Sequence, residues 1–296
     1  MRKREYLYIL VLLVALVVTA STARNVSATG GIEDLLARAR RAAETARFQT
    51  RTEAQLWKSV EMYKDVLDVD PDNREALNTL SLGYFTLAEA YLPEEERIES
   101  YEKGYEYGLK SLRTDKNFDR TYKEKGFSAL KNLPESVNTN VEGLFWTGAN
   151  LGRASEQKGV LESLGTLPAL VEINRRIIAV DEGYLGGAAH RTIGSISAEV
   201  LKRSPLTFIQ IHNNGFSWEK TEKHFLKAIE MAPGCLENYF SYAKYYALNR
   251  NKKELARENL QKVIDRPLGD EFPLINSLAK RKAQEIFARE EFNADG

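Results

Sequence analysis

Apolar side chains recur along the chain at intervals of three and four. Ile32, Leu35, Leu36 and Ala39 keep that spacing, as do Leu56, Val60, Tyr63, Val66 and Leu67. Such spacing puts each set on one face of an α-helix. The helix carrying the second set ends at Asp68-Val69-Asp70-Pro71, since proline disfavours helical geometry in the residue before it. A further helix starts near Asn73 and lines up Leu77, Leu80, Tyr84 and Leu87. No stretch sustains apolar alternation between turn pairs, so the pattern requires no strands. The expected class is all-α.

The helices also repeat. Ser59, Tyr63, Val66 and Pro71 stand at the same offsets as Thr221, Phe225, Ala228 and Pro233. These are the offsets of the second helix of a tetratricopeptide unit, in which a small residue admits the partner helix and an aromatic fills the next groove. Leu80-Ser81 with Tyr84, and Tyr242-Ala243 with Tyr246, suit the first helix of a following unit. Leu170, Asn174, Ile177 and Glu182 form a degenerate third copy. The copies keep no steady period. The pattern therefore predicts irregular tetratricopeptide-like hairpins stacked into a curved bundle or superhelix.

The amino-terminal stretch has a different character. Arg2, Lys3 and Arg4 precede an apolar run from Tyr6 to Ala20, followed by small residues that suit signal peptidase. That is the anatomy of a secretory signal. A retained anchor is the rival reading, because the run approaches the ~20 residues that span a bilayer. Residues 1–28 are thus expected to be a signal peptide or N-terminal membrane anchor, and 29–296 a single helical domain. Either reading places the domain outside the cytoplasm. The lone cysteine, Cys235, leaves no internal disulfide and no lipid-attachment site after the apolar run. The chain is expected not to be a lipoprotein and to meet the membrane only through its N-terminal segment.

Charge and motif content narrow the function. Lysine plus arginine equals aspartate plus glutamate, 42 each, so no basic excess steers nucleic acid. His190, His212 and His224 are too far apart for a pair on one helical turn, and no metal site is expected. No phosphate-binding, zinc-protease or serine-hydrolase motif occurs, so no cofactor and no enzymatic activity is expected. The acidic run at 93–100 suits the first turn of a helix, and Cys235 suits a buried core position.

The glycines fall in pairs: Gly104 and Gly108, Gly148 and Gly152, Gly183 and Gly187. Inside a helix each costs about 1 kcal/mol relative to alanine. One-turn spacing points to close helix packing as the compensation, and "LGGAAH" reads as the small-residue entry to a repeat's first helix.

Four segments in order carry a family likeness: "SYEKGYEYGLKSL" at 100–112, "VEGLFWTGANLGRASEQKG" at 141–159, "INRRIIAVDEGYLGGAAHRTIGSISA" at 173–198 and "KTEKHFLKAIEMAPGCLENYFSYAKYYA" at 220–247. Together they resemble the T-component (TatT-like) family of tripartite ATP-independent periplasmic (TRAP) transporters. The resemblance implies a periplasmic accessory protein with cryptic tetratricopeptide hairpins, a solute-binding P subunit as partner, and a homotrimer around a central pore. It also implies that "FWTGANLG" and "YLGGAAHRTIG" face the inside of the bundle. Trp146, Asn150, Tyr184 and His190 then become candidates for binding a small hydrophobic solute or lining a pore. A packed core, with His190 capping a neighbouring helix and Trp146 filling space, is the plainer reading. A generic extracytoplasmic adaptor for envelope assembly is the functional alternative.

Overall fold

The computed structural model describes residues 31–43, 52–134 and 139–289, so the leader expected at 1–28 lies outside the described residues. These residues are helical with no strand among them. None of the described helices is long and apolar enough to cross a membrane.

In chain order the main helices are α1 (31–43), α2 (Glu53–Val69), α3 (Arg74–Ala90), α4 (Arg97–Arg113), α5 (Lys116–Lys125), α6 (Ala129–Asn132) and α7 (Val141–Lys158). They continue as α8 (Val160–Asp181), α9 (Tyr184–Lys202), α10 (Phe208–Asn214), α11 (Trp218–Met231), α12 (Leu236–Ser241), α13 (Lys253–Asp265) and α14 (Pro273–Phe287). A π-helical turn, Tyr242–Ala247, extends α12.

Polar caps fix several helix starts. Thr52 and Gln55 form a reciprocal capping box at α2. Asn73, Asp115, Asn140 and Ser217 accept from backbone N–H groups at the starts of α3, α5, α7 and α11. Each such cap is worth about 1 kcal/mol.

Successive helices pack as hairpins. The stripe Leu56, Val60, Tyr63 and Val66 is buried against Leu80, Tyr84 and Leu87 of α3, with Leu36 and Ala39 of α1 on the same core. On α11, Thr221, Phe225 and Ala228 are wholly buried. Phe225 lies flat against Gly194 of α9, where an added Cβ would stand 2.9 Å from the ring. Burying a phenylalanine this fully contributes roughly 1.5–3 kcal/mol. The α4–α7 pair approaches closely as well: a Cβ on Gly104 would collide with Asn150, and one on Gly108 with Thr147.

The last helix returns to the first half. Lys282 of α14 reaches Glu89 of α3 at 3.3 Å, and Arg281 donates to the Glu89 carbonyl at 3.1 Å. Arg153 of α7 pairs with the same carboxylate at 2.8 Å. The chain thereby closes on itself around a central space.

Candidate functional site

That space is a cavity of about 410 Å³ walled by α7, α8, α9, the α12 stretch and α14. Its size falls in the range of small-molecule sites. Most of its wall is apolar, from Phe85, Trp146, Leu167, Leu170, Ile196, Val200, Ile275 and Leu278. Gly148 limits the α7–α8 spacing, since a Cβ there would stand 3.1 Å from Ile173, whereas one on Gly152 would make ordinary contact with Leu170 at 3.7 Å.

Most charges on the wall are neutralised by one another. Arg153 pairs with Glu89 and, at 2.9 Å, with Glu156. Burial would push the Glu89 carboxyl up, but Arg153, Lys282 and the Tyr101 hydroxyl outweigh it and hold its pKa at about 2. Arg203 pairs with Glu199 at 2.5 Å. Two opposite charges remain, Arg191 on α9 and Glu237 on α12, and neither has an ion-pair partner among the described residues.

Arg191 is held from one side only. Its Nη1 donates to Asn238 Oδ1 at 2.6 Å and lies 3.8 Å from Cys235 Sγ. The Asn238 amide in turn donates to the carbonyls of Ala228 at 2.8 Å and Gly186 at 3.0 Å. It thus braces an unusual turn: Leu185, Gly186 and Gly187 have φ of 45°, 67° and 75°. Three successive left-handed residues are tolerable because two are glycines. The turn resets the chain, so the regular part of α9 follows it. Gly183 and Gly187 therefore do not share a helical face. Gly187 abuts Ala228, whereas Gly183 has only loose neighbours, the nearest at 3.6 Å.

The four sequence candidates part company in space. Trp146 is on the cavity wall, its ring 5.3 Å from Phe85 and 4.8 Å from Phe145. Tyr184 joins it across Phe145, at 5.6 Å, in the neighbouring core, where burial raises its phenol pKa. Asn150 is fully buried between α3, α4 and α7. Its amide donates to the Ser81 and Trp146 carbonyls at 3.0 and 2.9 Å, while Oδ1 has no hydrogen-bond partner among the described residues. His190 sits beside α11, with Nε2 2.8 Å from Glu182 and Nδ1 2.7 Å from His224. Asn150, Tyr184 and His190 are not among the cavity's lining residues.

The sequence reading overlooked Arg191 and Glu237. Arg191 left a trace, as a full charge three and seven residues before the small, buried Gly194 and Ala198. Among the described residues no group of three or more His, Cys, Asp or Glu side chains could hold a metal ion.

A family model described as TRAP transporter T-component matches residues 52–292, most of the chain and all the elements that wall the cavity. No curated protein matches the chain.

Proposed function

Because the chain belongs to the TRAP transporter T-component family, we propose that it is a non-enzymatic, extracytoplasmic accessory protein that docks a solute-binding P subunit and shelters a largely apolar solute in its cavity. The observation that carries this reading is the cavity itself, formed by the matched elements and walled mainly by aliphatic and aromatic side chains. Trp146 supplies part of the apolar wall. The family likeness also supports assembly as a homotrimer.

Docking has a candidate surface. Leu161 at the start of α8 is 87% exposed, and Leu206, Phe208 and Ile209 beyond α9 are also exposed. The start of α8 and the end of α9 are the same end of one hairpin. Exposed apolar groups of this kind can mark protein contacts when they form a patch.

The test is light scattering of the purified chain alone and mixed with the P subunit of its own transport system. A complex weakened by Leu161→Asp and Phe208→Asp is the expected result. A chain that stays separate from the P subunit at tens of micromolar would overturn the docking role.

A further inference from the structure

Arg191 and Glu237 are the charges that the cavity leaves uncompensated. Arg191 is 8% exposed, so its guanidinium has lost most of its water. A buried cation is costly without an opposite charge. Yet among the described residues its bonds run from Nη1 alone, to the neutral Asn238 and the Cys235 sulfur. The other guanidinium donors have no acceptor among the described residues. The planar fork suits a carboxylate, which can take two parallel N–H bonds.

Glu237 is the counterpart. It lines the same cavity and accepts only a long bond, 3.4 Å, from Ser241 Oγ. The two charges thus share one cavity wall, and no ion pair joins them among the described residues. Had they met, each would have satisfied the other and the site would be inert. A ligand with a single negative charge would complete Arg191 but leave Glu237 facing it. A ligand carrying both signs completes the pair.

We propose that the cavity binds a small zwitterion with an apolar body, of the α-amino-acid class, its carboxylate on Arg191 and its ammonium towards Glu237. The apolar remainder lies against Trp146, Leu167, Ile196 and Ile275. The Asn238 bridge fixes Arg191 in place, and through the Gly186 carbonyl it ties the recognition residue to the left-handed turn. This inference deepens the solute-binding part of the reading above and rests on it; it is independent of P-subunit docking.

Isothermal titration calorimetry of the purified chain tests it, with L-leucine, L-phenylalanine and L-tryptophan as probes. At least one should bind. N-acetylation or amidation of that probe should weaken binding at least tenfold, since each removes one of the two charges. Arg191→Gln and Glu237→Gln should each abolish measurable binding of the zwitterion. The analogue series on the native chain keeps the test decisive even where Arg191→Gln disturbs folding through Asn238. Binding of decanoate in preference to every amino acid would overturn the proposal, as would zwitterion binding indifferent to both substitutions. Absence of heat with all three amino acids, while the P-subunit complex still forms, would overturn this inference and leave the docking role standing.

Discussion

Nδ1 of His190 lies 2.7 Å from Nδ1 of His224, so the two rings can share one proton across that gap but not hold two. On its other side His190 Nε2 faces the Glu182 carboxylate at 2.8 Å, where it acts as donor. With His190 neutral, its Nδ1 must then accept from His224. A second proton would set two N–H groups against each other.

Burial, reinforced by His190, lowers the His224 pKa from 6.5 to about 4. Between those values the unfolded chain binds a proton that the folded chain refuses, so stability is complete above pH 6.5 and falls as pH drops towards 4. Thermal melts across that window should show a declining midpoint. His224→Phe should flatten the decline, and an unaltered slope in that variant would rule the pair out as its source.

Glu89 gives a second, more acidic dependence. Its pKa of about 2 against 4.5 in the free side chain means that its contribution is present above pH 4.5 and is lost as pH falls towards 2. At neutral pH Glu89→Gln leaves Arg153 and Lys282 without their shared carboxylate. Breaking a buried pair from one side costs roughly 3–5 kcal/mol. Urea denaturation should show a lower midpoint, and Lys282→Met should cost less, because Arg153 still compensates the carboxylate.

The glycines around the left-handed turn should behave unequally. Gly187→Ala puts a side chain at φ 75° with its Cβ 3.1 Å from the Ala228 backbone, and should cost about 1–3 kcal/mol. Gly183 has φ −80° and open surroundings. Gly183→Ala should stay within about 0.5 kcal/mol of the parent. Equal costs at both positions would show that the turn is not the constraint.

Gly104→Ala drives a methyl group into Asn150, an overpacking that typically costs about 1–3 kcal/mol. Asn150→Ala makes room but gives up the bonds its amide donates to the Ser81 and Trp146 carbonyls. In a double-mutant cycle the two changes should be less damaging together than their sum, with a coupling of at least 0.5 kcal/mol. Simple additivity would mean that the two helices separate rather than that the two residues clash.

Much of this fold was legible from local spacing. Tyr63 and Phe225 are buried where the helical stripe puts them, and Gly148 lies against the next helix. Periodicity reports which face of a helix is covered. It does not report what covers it. Arg191 meets Asn238 across 47 residues, and His190 meets His224 across 34, so neither pair leaves a pattern within one helix. The turn at Leu185 was hidden for a different reason: Gly-Gly-Ala-Ala suits both a close-packed helix and a left-handed bend, and only the Asn238 clamp decides between them. Trp146 showed its aromatic bulk in the sequence, but the wall of the cavity beside it is complete only when α14 adds Ile275 and Leu278.

The contact between Glu89 and Lys282 joins positions 193 residues apart. A nascent chain must therefore be almost finished before α3 finds its last neighbour, and closing so long a loop adds to the entropy that folding must overcome. Until then Ile275 and Leu278 are missing from the wall, and the space beside Arg191 is open to water. The first helices can pair as they are made, yet the wall of the compartment is completed last. A chain cut short before α14 would keep much of its helix content and still be an unlidded vessel.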